Sequence, residues 1–238
     1  MDLLDKAQRT TKELVCTGLS AKCAWVHYTA VFIPSITYPF GVTHMNKTKL
    51  HNLQKAYIPA VLNKMGFSRT YAQAMVFGPR YHGAIEGIDL RSEQGIQIID
   101  NLMRTLRTPG NDQSMVKVFW ITFQHVSGCQ LPLLQYLKRR APHLDGNFFT
   151  YIRQFLSDNK ASLEVDCVKP LQIERDEDRF LMDIACENDT LDKTTVDKIN
   201  YCQLFIEVHR ISDICTADRN FIFDSVYIVT RPDCVRPD

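Results

Sequence analysis

The spacing of apolar residues along the chain is helical over most of its length. Apolar positions recur every three or four residues, which is the period of an amphipathic helix, rather than every second residue. The clearest segment is 46–65, in which lysines lie off the apolar face and Gly66 predicts the end of the helix. Its apolar face consists of Leu50, Leu53, Tyr57, Val61, Leu62 and Met65.

Five further segments show the same period and are predicted to be helices. They are residues 92–106, 113–125, 147–156, 176–187 and 193–211. In the first of these, the residues expected to face inward are Ile99, Leu102, Met103 and Leu106. In the last, Thr194 and Thr195 are the expected N-caps. The apolar face expected there consists of Ile199, Cys202, Phe205, Val208 and Ile211.

Strand signals are few. Residues 161–168 alternate weakly, and residues 221–229 are rich in β-branched and aromatic side chains. Glycine and proline at 78, 79, 83 and 87 predict a structured loop between two helical halves. We therefore expect a mainly α fold, a bundle of about seven to nine helices with a small β element near the C-terminus. A boundary near Gly146 would divide it into 1–145 and 146–238, or the chain forms one domain.

Composition adds limits to this fold prediction. The chain has 238 residues, 45% of them apolar and 23% charged, which excludes collagen-like, low-complexity and fully disordered proteins. The first 30 residues carry seven charges and lack the apolar core of a secretion signal. The longest apolar stretch, 28–38, contains Pro34 and is far shorter than the roughly 20 residues of a membrane-spanning helix. We expect a soluble intracellular protein, cytoplasmic or nuclear, with eight reduced cysteines and no membrane partner.

Charge is distributed unevenly along the chain, although the formal net charge is only +1. Residues 41–90 contain six Lys and Arg against two acids, and residues 138–140 add a second basic cluster. Residues 158–198 contain twelve acids against six bases. A polyanionic partner would therefore have to bind to a local patch, since the whole molecule has no strong field.

Motifs for cofactors and metals are missing from the sequence. It has no glycine-rich phosphate loop, no Cys-x-x-Cys and no His-x-x-x-His, so we predict no cofactor and no metal. The nearest cluster of zinc-ligand residue types is Cys202, His209 and Cys215, which we expect to pack separately. The sequence Ser127-Gly128-Cys129 follows His125 and is interpreted as a surface turn rather than a nucleophile site.

Acidic residues gather just before Phe180. Glu174, Asp176, Glu177 and Asp178 could together collect Mg²⁺ for phosphoryl chemistry. Acids at this place are also typical of the first turn of a solvated helix, and arginines are interleaved with them. This cluster is the only sequence feature that favours an enzyme, and we predict no catalytic residue.

Basic residues interleaved with aromatic ones are the most suggestive functional pattern. The basic residues are Lys47, Lys49, Lys55, Lys64, Arg69 and Arg80. They could bind phosphates, while Tyr57, Phe67, Tyr71 and Tyr81 could stack on bases or pack inward. The alternative is an ordinary amphipathic helix with its lysines in water.

Several short motifs, in this order, resemble one protein family. They are Tyr38-Pro39, Leu53-Gln54-Lys55, "NKMGFSR" at 63–69, Gly78-Pro79, Glu93-Gln94-Gly95 and Leu106-Arg107. Together with "YIRQFL" at 151–156 and "INYCQLFIEVHRISDICTAD" at 199–218, they resemble the region after the polymerase palm in non-LTR, retrotransposon-like reverse transcriptases. The likeness spans about residues 19–220.

This resemblance implies a thumb-like helical region in 1–145 whose basic helix grips template–primer through the six basic residues. Reverse transcriptases also need an Asp-Asp pair to hold two Mg²⁺ ions, and this sequence has none. The family's "GGLGL" hinge is replaced here by "GAIEGIDL" at 83–90. The expected function is a non-catalytic tail or fragment that binds RNA or DNA, with a polymerase palm encoded elsewhere as a partner.

The alternative function is a structural or protein-interaction module without a nucleic-acid role. In that case the acidic segment 158–198 would contact a basic partner or the chain's own basic half.

Overall fold

The protein is mainly helical, as the apolar spacing predicts. The computed structural model describes residues 3–137, 140–144, 146–166, 168–173, 175–176 and 178–215. Helix makes up 61% of the structure, and the described ranges contain no sheet. Phe180 and Arg210 form an isolated antiparallel β-bridge.

The helices follow one another closely along the chain. They are α1 (Leu3–Cys16), α2 (Ala21–His27), α3 (Ile33–Thr37), α4 (Lys47–Lys64), α5 (Gln73–Phe77), α6 (Leu90–Arg107), α7 (Asn111–Ser127), α8 (Phe148–Asp158), α9 (Leu181–Glu187) and α10 (Lys193–Ile206). A π-helical turn, Tyr28–Phe32, joins α2 to α3, and short 3-10 turns lie at Arg80–His82 and Ile211–Asp213.

Internal contacts divide the chain into two compact units within α6. Unit 1 is Met1–Arg104 and unit 2 is Thr105–Asp238. The boundary expected near Gly146 falls inside unit 2.

The core of unit 1 is built on aromatic rings from the π-helical turn and α4. The rings of Phe32 and Tyr57 stack with centroids 3.7 Å apart, and Tyr28 lies 6.1 Å from each of them. The Tyr57 hydroxyl lies 2.6 Å from Nδ1 of His27, so this buried hydroxyl has a hydrogen-bond partner. Leu50, Leu53 and Val61 are buried on the same face of α4, which confirms the predicted stripe.

Local capping residues determine both ends of α4. Asn46 accepts a hydrogen bond from the backbone N–H of Lys49 at 2.9 Å and so satisfies a donor that the helix leaves open. At the other end, Gly66 has a φ of +85°, a left-handed conformation that glycine adopts without a steric penalty. The predicted start and end of this helix are confirmed.

The segment between α4 and α6 is structured, as its glycines and prolines predict. Its two arms are paired by backbone hydrogen bonds from Ile85 to Met75 and from Glu86 to Gly78. Asp89 then begins α6, because its carboxylate accepts hydrogen bonds from the backbone N–H of Ser92 at 2.9 Å and from the Ser92 hydroxyl at 2.8 Å.

Helix α6 extends one to two residues beyond its predicted range at each end. It buries Ile98, Leu102 and Leu106, whereas Ile99 and Met103, which we expected to face inward, are half-buried. The inward face is thus rotated toward Ile98 relative to the prediction.

In unit 2, a buried glutamine organises the chain after α7. The side-chain amide of Gln124 donates to the carbonyls of Cys129 (2.7 Å) and Leu131 (3.0 Å), and its oxygen accepts from the N–H of Leu133 (3.2 Å). Gly128 makes the turn that starts this segment, with a φ of +62°. A Cβ at Gly128 would overlap the side chain of Gln203, so the position requires glycine.

Helices α9 and α10 differ from their predicted ranges. Helix α9 starts at Leu181 rather than near 176, because the Asp178 carboxylate binds the backbone N–H groups of Arg179 and Ser212, at 3.0 and 3.1 Å, in a non-helical conformation. Helix α10 ends at Ile206, because Glu207 adopts a left-handed φ of 56°.

The expected details of α10 and of the strands also need correction. The N-cap of α10 is Asp192, which accepts from the N–H of Thr195, and not Thr194 or Thr195. Cys202 and Phe205, expected inside, are exposed, while Val196 and Gln203 are buried. Residues 161–166 form no strand, and the strand expected at 221–229 lies outside the described residues.

Candidate nucleic-acid interface

Helix α4 concentrates positive charge on unit 1. Its 18 residues include four lysines and no acid. Across residues 1–104 the sequence has twelve Lys and Arg against seven Asp and Glu, so unit 1 is cationic while the rest of the chain is anionic. A polyanion would therefore be attracted to unit 1.

Lys47, His51 and Lys55 form one exposed row on α4. They are spaced four residues apart, so they lie on the same face of the helix. Leu53 and Tyr57, on another side of the helix, are buried. In the described part of the chain no side chain pairs with Lys47 or Lys55. We call these three residues the basic row.

The other four predicted basic residues are not brought to this row. Lys49 lies on another side of α4 and lines a separate cavity with Leu3 and Leu4. Arg69 is exposed in the turn after α4. The remaining two are engaged inside unit 1: the Lys64 ammonium donates to the carbonyl of Thr17 at 2.7 Å, and Arg80 pairs with Glu86 at 2.9 Å.

A groove of about 690 Å³ lies beside the basic row, between α4, α5 and the start of α6. Lys47 and His51 form part of its wall, and Arg91 contributes from α6. Asp89 is the one acidic residue among the described residues that line the groove. Its carboxylate accepts hydrogen bonds from Gln54 (3.0 Å) and from Ser92. The lining also includes Thr48 and Gln73, whose polar groups suit phosphate oxygens.

The aromatic residues near this region have different roles. Tyr57 is fully buried, and burial raises its pKa well above the usual range. Phe67 and Tyr71 pack on each other with centroids 5.0 Å apart and are half-buried. Tyr81 is 82% exposed, so it is the one of the four that presents a ring to solvent. A stack of several bases on these rings is therefore not preformed.

Unit 2 contains a buried cluster that the sequence did not indicate. Cys129, His143 and Cys186 each place a ligand atom within 4.8 Å of the other two, and all three are buried. They are 14 and 43 residues apart in sequence, so no local spacing motif could reveal them. The Ser127–Cys129 turn, interpreted as a surface turn, is buried, and that interpretation was wrong.

The other candidate groups are not assembled into sites in the described part of the chain. Cys202 is exposed, the Cys215 thiol donates to the carbonyl of Ile211, and the ring of His209 lies 4.8 Å from that of His125. Burial, with a contribution from His125, lowers the pKa of His209.

The acidic and second basic clusters are described only in part. Asp176 is exposed, whereas Asp178 is buried and hydrogen-bonded to backbone. Glu174, Glu177, Lys138 and Arg139 lie outside the described residues. Arg140 lies 3.7 Å from Asp189.

Among the described residues, no helix has both the length and the apolar character that crossing a bilayer requires. No protein-family model, no curated protein and no solved structure matches the chain.

Proposed function

We propose that unit 1 binds the sugar–phosphate backbone of a nucleic acid through the basic row of α4, as a non-catalytic protein. The observation that carries this proposal is the exposure of Lys47 and Lys55, with His51 between them, on a helix without acids. Lysines that are not engaged within the protein keep their charge available for phosphates.

The dimensions of the basic row suit a nucleic-acid strand. Lys55 lies eight positions after Lys47 on the helix, which is about 12 Å along the axis. A strand of a duplex rises about 3.4 Å per phosphate, so the row spans roughly three to four phosphates. Contacts of this kind bind the backbone and carry no sequence information. Binding should therefore tolerate any sequence.

The motifs shared with the post-palm region of non-LTR reverse transcriptases support a more specific form of this proposal. In this more specific proposal, the chain is the thumb-like tail or fragment of a retroelement protein, and it acts beside a polymerase palm that is encoded elsewhere. The lack of an Asp-Asp pair agrees with a binding rather than a catalytic role.

Fluorescence anisotropy tests the proposal. The full chain is titrated into labelled single-stranded RNA, single-stranded DNA and an RNA–DNA hybrid at several salt concentrations. We expect the logarithm of affinity to fall linearly with the logarithm of salt concentration. In the double variant Lys47→Glu, Lys55→Glu, affinity for the single strands should drop about tenfold or more, and the slope should shrink by about 1.4, since each lost contact contributes about 0.7.

The matched control is a second double variant that makes the same change in charge elsewhere in unit 1. Lys12 and Lys22 are exposed on α1 and α2, so Lys12→Glu, Lys22→Glu lowers the charge of unit 1 equally without touching the basic row. Equal weakening by both double variants, or binding that is indifferent to salt, would overturn the proposal.

One observation favours the second candidate function, a protein-interaction module. Helix α7 exposes an apolar stripe at helical spacing, formed by Met115, Val118, Phe119 and Val126. The stripe contains no charge, so it is complementary to the same stripe on a second copy of this chain. Sedimentation velocity tests this candidate: a dimer that Phe119→Glu converts to a monomer supports it, and a monomeric wild type at all concentrations excludes self-association through this stripe.

A further inference from the structure

We propose that Cys129, His143 and Cys186 form a zinc-binding site in unit 2. These residues are distinct from the basic row, and this proposal does not depend on nucleic-acid binding. The three donors come from the turn after α7, from the segment 140–144 and from α9. A bound ion would therefore cross-link three parts of unit 2.

One pair of donor atoms is already spaced as a tetrahedral zinc ion requires. Zinc binds thiolate sulfur at about 2.3 Å and imidazole nitrogen at about 2.0–2.1 Å, so two such ligands lie roughly 3.6 Å apart at a tetrahedral angle. The Cys186 sulfur lies 3.6 Å from Nδ1 of His143. The three ligand atoms all lie within 4.8 Å of one another. The Cys129 thiol now donates to the carbonyl of Ser127 at 3.5 Å, and it gives up this weak bond when it loses its proton to bind the ion.

A hydrogen bond on the far side of the imidazole orients its metal-binding nitrogen. Nε2 of His143 lies 2.9 Å from the carbonyl oxygen of Ser127, so Nε2 carries the proton and donates it. The lone pair of Nδ1 then faces Cys186. Metal-ligating histidines show this arrangement, in which the second nitrogen is fixed by a carbonyl or carboxylate.

The turn that carries Cys129 is held rigidly in place. The Ser127 hydroxyl bonds the carbonyl of Gln124 at 2.6 Å, and the Cys129 carbonyl accepts from the Gln124 side chain at 2.7 Å. Gly128, which lies between Ser127 and Cys129, adopts the left-handed conformation that this turn requires. A ligand on such a turn loses little conformational entropy when it binds an ion.

Burial and charge balance favour zinc over a hard cation. Cys129, His143 and Cys186 are 0%, 7% and 2% exposed, and the site offers soft sulfur and nitrogen donors rather than oxygens. On binding, Zn²⁺ displaces one proton from each thiol, and both protons go to solvent. Two thiolates then neutralise the ion, so the buried centre has no net charge. A water molecule or another donor completes four-coordination.

Metal titration of the reduced full chain tests this site. The protein is freed of metal with a chelator and titrated with Co²⁺, whose visible bands report tetrahedral thiolate coordination. We expect saturation at one ion per chain, displacement of Co²⁺ by Zn²⁺, and a rise in melting temperature with Zn²⁺. Cys129→Ser, Cys186→Ser should lose the cobalt bands and the zinc-dependent rise.

The control variant is Cys202→Ser, Cys215→Ser, which removes the two cysteines that the sequence places near His209. It should bind Co²⁺ like the wild type. His143→Gln is the second test variant, because it replaces the ligand nitrogen while both thiols remain, and circular dichroism verifies that each variant folds.

Three results would overturn the zinc site. The first is a folded wild type that takes up no Co²⁺ or Zn²⁺. The second is loss of metal binding in the control variant while the test variants still bind. The third is a Cys129–Cys186 disulfide in the oxidised protein, together with a reduced form that binds no metal.

Discussion

The Tyr28 hydroxyl is a buried link between the aromatic core and the start of α6. It donates to the carbonyl of Ile88 and accepts from the N–H of the same residue, both at 3.1 Å. Burial is the main cause that raises the pKa of Tyr28 to about 12. The hydroxyl therefore satisfies two backbone groups at once and stays protonated in the folded protein at neutral pH.

Tyr28→Phe should lower the free energy of unfolding by about 1–3 kcal/mol, because both backbone groups of Ile88 lose their partner. Urea denaturation followed by tryptophan fluorescence measures the change, with Trp120→Phe as the background so that the signal comes from Trp25, whose ring lies 5.2 Å from that of Tyr28. Tyr38→Phe is the control, because Tyr38 is 90% exposed. Equal midpoints for the two variants would contradict the expectation.

At the residue scale, the exposure of a side chain could be predicted more readily than its partners. Lys47 and Lys55 are exposed as helical spacing predicts for residues off the apolar face. The engagement of Lys64 could not be predicted, because its partner carbonyl at Thr17 is 47 residues away. The contact between His143 and Cys186 spans 43 residues and is equally invisible to local spacing.

At the scale of elements, α4 depends on its N-cap. Asn46→Ala should lower the free energy of unfolding by about 1 kcal/mol, since the backbone N–H of Lys49 loses its acceptor. Thermal or urea unfolding of the full chain measures this loss. Asn46→Asp restores a capping oxygen and should retain most of the stability, so equal losses in both variants would contradict a capping role.

Elements with local end signals were predicted well, and elements that end through distant contacts were not. Asn46 and Gly66 lie next to α4 in sequence, and the predicted helix matches the observed one. The start of α9 depends on the bond between Asp178 and Ser212, 34 residues apart. The end of α10 depends on a left-handed Glu207, a conformation that this residue type does not signal.

At the scale of the whole molecule, the division inside α6 predicts local responses to mutation. Gly128→Ala should accelerate amide hydrogen exchange in α8–α10, because the new Cβ overlaps Gln203 and the backbone is strained. Exchange in α1–α4 should be unchanged. Mass spectrometry of peptic fragments measures both regions.

The control for this variant is Gly146→Ala, where an added Cβ meets no atom within 4 Å. It should exchange like the wild type throughout. Equal acceleration of α1–α4 and α8–α10 in Gly128→Ala would mean that the two units unfold together.

Overall charge and helix content could be predicted because they add up from local sequence. Because charge is uneven along the sequence, unit 1 is cationic and the rest of the chain is anionic. The division at Arg104 could not be predicted, since α6 runs through it without a change of pattern, and the one glycine of α6, Gly95, lies nine residues before it.

Gln124 explains how a buried segment of bends and turns can satisfy its backbone groups without a sheet. The three groups it binds are the carbonyls of Cys129 and Leu131 and the N–H of Leu133. One side-chain amide thus supplies hydrogen bonds that a neighbouring strand would supply in a sheet. Deamidation of Gln124 would replace its donor with an acceptor facing two carbonyls, so a single chemical ageing event would leave both carbonyls without their donor.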